Sequence, residues 1–465
     1  MNTPAAPTPS KAAQFLSDAD RKAFDLEHRR KIRFNIGKYN TAVQTGLGFY
    51  HDHELARARA SYLKAQVINH LDQYLLQFEQ NFTARGGKVV WAQNAEEALF
   101  EVGKIMARRH ARTVVKAKSM TTEEIHLNHY LQEQGIESVE TDLGEFIVQL
   151  NGERPYHIVT PAMHLSRLDI ADIFAKHLGI EYTDDAQQLV LTARHLLRHK
   201  YTAAEVGITG GNFLVADTGA VCVTENEGNA RLSATFPKTH IAIVGIEKVI
   251  PRLRDLDLFW PLLSTSGTGQ QVTVYNTLYT GPRQPLEKDG PEEMVVILLD
   301  NGRTNLLAQP DKREALHCIR CGACLNVCPV YKNIGGHTYE ATYSGPIGSV
   351  ITPHLSGLAE NKHLSYASSL CGACSSVCPV KINIHNILLK NRQQSVQEGF
   401  TDKEERRAVA LWLHGMKHRW VWDLAPVAAK NWVLSRLLGQ TGWSKRREAV
   451  QVAPKTFRQL WKERK

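Results

Sequence analysis

Cys318, Cys321, Cys324 and Cys328 follow one another at gaps of two, two and three residues, and Pro329 comes next. Residues 368–379 repeat the pattern as Ser368, Cys371, Cys374, Cys378 and Pro379, with the same Cys-Gly-Ala-Cys core and Cys-Pro-Val ending. Seven of the eight cysteines lie in these two runs. Thiolates spaced this closely suit an iron–sulfur cubane: three reach three corners of one cube from a single turn, and the fourth serves the other cluster of a pair. Gly322 lets the chain lie close, so that backbone N–H groups can bond the sulfides. By this crossover rule Cys318, Cys321, Cys324 and Cys378 bind one cluster, and Cys328, Cys371 and Cys374 bind the second, one thiolate short.

Ser368 stands where the eighth thiolate would be. The second cluster is then [4Fe–4S] with a non-cysteine ligand (Ser368, water or a partner's side chain), or [3Fe–4S], or a cluster whose free iron binds something functional. Zinc fits badly, because zinc ribbons separate their Cys-x2-Cys pairs by longer gaps. A disulfide framework would spread its cysteines along a small secreted chain. Dense clustering in 465 residues, with no apolar stretch in the first ten residues to act as a secretory signal, predicts metal binding in a reducing cytoplasm. Cys222, alone in an apolar run, is expected to be a buried small hydrophobe.

The elements that must position these residues alternate. Residues 26–85 read as helix, with Leu63, Val67, Leu71, Leu75 and Phe78 on one face and Gly86-Gly87 as the stop. A strand at 88–92, a helix capped by Asn94 with Glu97 as its partner, and a strand at 113–115 follow. A strand at 157–159 and a helix at 165–178 continue the alternation, which predicts an α/β fold with a largely parallel sheet. Residues 212–216 and 220–224 read as a hairpin, and further strands are expected at 241–244, 271–275 and 294–299. The Gly-, Ser- and Pro-rich stretch 335–357 reads as loop. Helical flanks at 315–320 and 384–390 favour an α-helical ferredoxin-type module. The expected domains are a helical extension at 1–85, an α/β domain at 86–306, a two-cluster module at 307–395 and a helical, basic tail at 396–465.

The net charge is +9, and residues 401–465, with 15 basic and 6 acidic residues, carry all of it. The rest of the chain is balanced, so a nucleic-acid-binding protein is not expected. Six of the eight tryptophans (Trp412, Trp420, Trp422, Trp432, Trp443 and Trp461) lie in the tail. This composition suits docking on a partner protein first and contact with a membrane surface second. No run of eighteen apolar residues predicts a transmembrane helix.

The chain resembles the lactate utilisation iron–sulfur protein B family. The matching stretches are His317 through Cys324 with Cys328-Pro329-Val330-Tyr331, and Ser369 through Cys374 with Cys378-Pro379-Val380-Lys381. Gly207 through Phe213, Asp217-Thr218-Gly219-Ala220 and Thr224 through Asn229 match as well. The resemblance covers essentially the whole chain. It implies an α/β domain related in fold to sugar-phosphate isomerases and CoA transferases, and a ferredoxin-like module whose seven cysteines and one serine are the family's own pattern. It also implies an electron-transfer role, rather than a stand-alone enzyme, in oxidation of L-lactate to pyruvate. The expected partners are other proteins of a lactate oxidation system and a quinone-linked acceptor. The rival reading makes the α/β domain an enzyme on a small acid or acyl substrate, with the clusters as its electron outlet.

Weaker signals have plain structural readings. The segment 207–219 is a ligand cradle or a set of turns around the hairpin. Glu225 and Glu227 are expected at a solvated hairpin end rather than as nucleophiles, and 264–269 as a loop rather than a phosphate site. Neither Gly-x-Gly-x-x-Gly nor the phosphate loop with its Lys occurs. His126, His129 and His164 read as surface histidines. Arg320 and Lys381 flank the cysteines, where they steady cluster charge or are simply solvated.

Overall fold

The computed structural model describes residues 10–418, 420, 426–439 and 451–464. The chain divides into two compact units, Met1–Ser395 and Val396–Lys465. Of the first ten residues only Ser10 is among those described.

In chain order the strands are β1 Lys88–Ala92, β2 Thr113–Lys116, β3 Glu137–Glu140, β4 Val206–Thr209, β5 Phe213–Val215, β6 Ala220–Glu225, β7 Thr239–Gly245, β8 Val249–Ile250, β9 Tyr275–Tyr279 and β10 Glu293–Leu299. Six form an all-parallel sheet in the order β1-β10-β7-β4-β2-β3. The other four form a smaller sheet, β8-β5-β6-β9, in which β5 and β6 are the expected hairpin, pairing Phe213 with Cys222. Strands β7 and β10 are buried at every residue. Helices cover both faces of a parallel sheet, which is why these strands read as unbroken apolar runs rather than alternating ones. Val295, Ile297 and Leu299 pack with Ala98, Val102 and Met106. Met294, Val296 and Leu298 face a second core that runs through Leu75 and Phe78 to Leu325, Tyr331 and Cys324. The N-terminal helices, the sheet and the cysteine region thus share one core.

The helical stretch at 26–85 is three helices, Leu26–Leu47, His53–Asn69 and Leu71–Thr83. Asp25 and Asp52 cap the first two, accepting from the backbone N–H of His28 and Leu55. Asn94 caps the next helix as expected, but Glu97 reaches back to the N–H of Gln93 rather than of Asn94.

Four expectations are corrected. His157, Ile158 and Val159 form no strand; they are a bend, with His157 and Ile158 buried, that packs under the cysteine turn at Gly322. Residues 264–268 close the helix Leu256–Thr268, where the Ser and Thr hydroxyls bond backbone carbonyls within the helix and in the turn that follows it. The strand expected at 271–275 begins at Tyr275. Within 335–357, residues Gly345–Leu355 are a buried helix with Pro346 in its first turn, where a missing N–H costs nothing.

The second unit holds helices Lys403–Lys417, Val427–Gly439 and Phe457–Glu463. Trp412, Trp420, Trp432 and Trp461 are exposed; Trp422 and Trp443 lie outside the described residues. Among the described residues no helix is long and apolar enough to cross a membrane.

One buried ionic network ties the sheet to the cysteine region. Arg303 grips Glu124 through two parallel hydrogen bonds of 2.9 Å and donates to Glu247 at 2.6 Å. Tyr343 donates to the same Glu124 at 2.7 Å, and Arg320 reaches Glu247 at 3.4 Å. Burial alone would raise the Glu247 carboxyl; Arg303, then Arg320 and Lys248, outweigh it and hold it at about 2. Removing one member of such a set strands the others without a partner. Arg303→Met is therefore expected to destabilise the first unit by about 3–5 kcal/mol, read as a lowered urea midpoint, with Arg303→Lys recovering only part because an ammonium cannot make the paired contact.

Candidate iron–sulfur centres

The two cysteine runs fold alike because their backbones need the same unusual conformations. Arg320 and Leu370, each one residue before a cysteine, have positive φ of 62° and 57°. Gly322 and Gly372, each one residue after, have φ of 81° and 78°. Short helices, Ala323–Val327 and Ala373–Ser376, follow. The backbone N–H of Arg320 donates to Cys318 Sγ at 3.4 Å, and that of Leu370 donates to Ser368 Oγ at 3.1 Å. The Ser368 hydroxyl thus stands in the conformational place of the Cys318 thiol.

None of the seven cysteines of the runs is in a disulfide. Cys318, Cys321, Cys324 and Cys378 line one small cavity with the apolar Ile158, Ile347 and Ile382. Cys328, Cys371 and Cys374 face one another in a second group. Burial, then the neighbouring Cys378 and Cys318, pushes the Cys321 thiol upward. Burial and then Cys328 raise Cys374 to about 11. Crowded thiols in an apolar hole become thiolates only around a cationic centre, so these donors fit an iron–sulfur cluster. The second group opens to solvent at one member: Cys371 is exposed, whereas Cys328 and Cys374 are buried like Cys321, Cys324 and Cys378, and Cys318 is intermediate.

The surroundings differ more than the turns do. Arg320 is largely buried, with its guanidinium 4.5 Å from the Tyr343 ring centre and its ion pair to Glu247. Lys64 and Lys248 also lie within electrostatic reach of Cys318. Lys64 donates to the carbonyl of Glu247 at 2.6 Å. At the second run the matching residue is the apolar Leu370, and Lys381 pairs with Glu54 at 2.5 Å. Arg57 ties the end of this run to the N-terminal helices, donating to the carbonyls of Ser376 and Cys378. Lys64, Glu247, Lys248 and Arg303 were not expected from the sequence. The available signal was Glu247-Lys248 set between Gly245-Ile246 and Val249-Ile250, a charged pair inside an apolar run.

Other candidates fall elsewhere. Glu225 caps the helix Asn229–Thr235, accepting from the N–H groups of Ala230 and Arg231. Glu227 accepts from the N–H of Leu143. Cys222 is fully buried, as expected. His126, His129 and His164 do not come together; His164 bonds Glu153 at 2.8 Å, with His337 close by.

The architecture defines a class: an α/β domain fused to a two-cluster ferredoxin-type module. Residues 75–299 match the LUD domain and residues 314–382 the 4Fe-4S dicluster domain. The chain is 42% identical over 413 residues to Lactate utilization protein B of Bacillus cytotoxicus, covering 87% of each chain. It is 41% identical over 415 residues to the Uncharacterized electron transport protein YkgF of Escherichia coli, again covering 87% of each. The chain belongs to the lactate utilization protein B family, and its cofactors are iron–sulfur clusters of the 4Fe-4S type. A DUF162 family protein of Deinococcus radiodurans aligns with 49% of this chain and 98% of its own at 13% identity, with a TM-score of 0.28, from which no likeness of fold follows.

Gly322 and Gly372 are equivalent in backbone but not in surroundings. A Cβ on Gly322 would meet Val159 Cγ2 at 2.9 Å, whereas one on Gly372 would meet nothing nearer than His385 at 3.9 Å. Both alanine variants carry the left-handed penalty of about 1–2 kcal/mol; only Gly322→Ala adds the clash. Iron and sulfide per chain after anaerobic purification are expected to fall clearly in Gly322→Ala and little in Gly372→Ala.

Proposed function

We propose that this chain is the electron-carrying member of a multi-protein system that oxidises L-lactate to pyruvate. The observation that carries the reading is the pair of thiol groups in one module, the first enclosed by the module's own residues with Ile158 of the α/β domain and the second opening to solvent at Cys371. Cys318, Cys321, Cys324 and Cys378 would hold the first cluster, and Cys328, Cys371 and Cys374 the second, with Ser368 at its fourth position. Bound there, the clusters supply one-electron donors and acceptors.

The chain's own residues give the two sites different tasks. Lys64, Lys248 and Arg320 place positive charge beside Cys318, which favours the more negative, reduced state at the first site. The second site has the apolar Leu370 instead and sits nearer the surface, where a partner can reach it. Partners are other proteins of the lactate oxidation system, with a quinone-linked acceptor at the end. The module at 307–395 carries the electrons. The basic, Trp-rich tail at 396–465 is a docking element for those partners or for a membrane surface beside them.

Cys321→Ala is expected to bleach much of the broad visible absorption and to stop growth on L-lactate; unimpaired growth would overturn the reading. The ligand assignment has its own test. Cys378→Ala should lose the same reduced-state EPR signal as Cys321→Ala, and Cys328→Ala the same signal as Cys371→Ala. Ser368→Ala should leave a three-iron signal at the second site in the oxidised protein, and Ser368→Cys should not.

A further inference from the structure

The carboxyl ends of β2 and β4 bound a second cavity, of about 400 Å³, within the size range of small-molecule sites. These neighbouring strands lead opposite ways, β2 to β3 at the sheet edge and β4 toward β7 at the centre. Such a divergence opens a crevice at the strand ends, where open parallel sheets bind ligands. Lys118 and Ser119 line it after β2, and Gly210 and Asn212 after β4. Gly210 passes so close to Ser119 that a Cβ would fall 2.7 Å from its Oγ, so the crevice depends on a residue with no side chain. The far wall comes from the cysteine module: Arg320, Cys321 and Tyr343.

The charges lining this cavity are not equally free. The acidic groups are engaged by backbone donors: Glu225 by two N–H groups, Glu227 by Leu143 and Asp142 by Glu145. Lys118 donates to the carbonyl of Val159 at 2.6 Å. Lys248 is only 8% exposed and makes no hydrogen bond or ion pair among the described residues. Arg320 Nη1 is buried without a partner, and Nη2 has only its 3.4 Å contact with Glu247. The unmet capacity is therefore a pair of cationic donors beside Cys321. A buried cation with no acceptor is costly unless an anion completes it.

We infer that this cavity binds a small organic monocarboxylate, its carboxylate held between Lys248 and Arg320 against the first cysteine turn. A guanidinium and an ammonium together match a carboxylate's two oxygens. The three carboxylates elsewhere on the lining work against a dianion, which sets a carboxylate above phosphate. The same two cations face Cys318, so a bound carboxylate and an added electron at the first site compete for one positive field. By linkage, reduction weakens carboxylate binding as much as carboxylate binding disfavours reduction.

The test is calorimetric titration of the anaerobically purified, cluster-loaded full chain with pyruvate, L-lactate and acetate, and with inorganic phosphate as the dianion. At least one carboxylate is expected to bind saturably with a Kd below about 1 mM. Affinity should drop about tenfold or more in Lys248→Met, hold in Lys248→Arg, and drop several-fold on dithionite reduction. Iron content confirms that the variants are loaded. The inference is overturned if no carboxylate binds to the wild-type chain, if phosphate binds as tightly, or if Lys248→Met or reduction leaves the affinity unchanged. The measurement uses neither turnover nor partners, so its failure leaves the electron-carrier reading, tested by Cys321→Ala, standing.

Discussion

Arg303 is the point on which the two halves of the first unit meet. It lies just beyond β10, grips Glu124 and Glu247 from the α/β domain, and through them reaches Tyr343 and Arg320 of the cysteine module. A buried ionic set of this kind adds little net stability over an apolar core of equal volume, because desolvation offsets the attraction. Its effect is geometric. Apolar faces tolerate small slips, but a guanidinium in bidentate contact with a carboxylate fixes distance and plane together. Arg320 is one residue from Cys321 and two from Cys318, so fixing its side chain fixes the turn that carries both. The wall of the first thiol cavity is therefore registered against the strand ends of the sheet.

The same logic explains a strained residue. Arg320 and Leu370 occupy equivalent left-handed positions that glycine would adopt at no cost, while a side chain there costs about 1–2 kcal/mol. At 320 the cost is offset by the guanidinium's ion pair with Glu247 and its place over the Tyr343 ring. At 370 there is no charge to place, and the apolar side chain packs partly buried against the core. One duplicated backbone thus gives two electrostatic environments, which differ in what stands at this position of the repeat and in the lysines, Lys64 and Lys248, brought to the first site from outside it.

Much of this was legible in the sequence, and the rest was hidden for identifiable reasons. The cysteine spacing, the strands at 88–92 and 113–115, the central hairpin and the parallel sheet are written in local patterns, where side-chain type and period decide the conformation. The stretch 157–159 reads as a strand in sequence because His157, Ile158 and Val159 look like a buried run, but burial rather than pairing accounts for them; what they bury against is Gly322, more than 160 residues away. The helical end at 264–268 was misread because Ser, Thr and Gly suit loops until hydroxyls bond carbonyls of the preceding turn. The helix at 345–355 was obscured by Pro346 and Pro353, one at a harmless first-turn position. The Arg303 network had no local signal beyond charges set in apolar runs, since its members Glu124, Glu247, Arg303, Arg320 and Tyr343 come from five separate stretches of chain.

Charge also argues for what belongs in the first cavity. Lys64, Lys248, Arg303 and Arg320 lie in or near this buried region, against the two carboxylates Glu124 and Glu247. A surplus of buried cations is unfavourable by itself, and here burial lowers Lys64 to about 7 and Lys248 to about 8. Beside the surplus stands a hole lined by four thiols, whose crowding and burial resist ionisation. Each imbalance offsets part of the other: a tetrathiolate iron centre brings negative charge close to the cations, and the cations stabilise the thiolates that the metal requires. Cations also stand at the second group, Lys332 within electrostatic reach of Cys328 and Arg392 donating to the carbonyl of Ser368, but both are only partly buried, and solvent does part of the screening there.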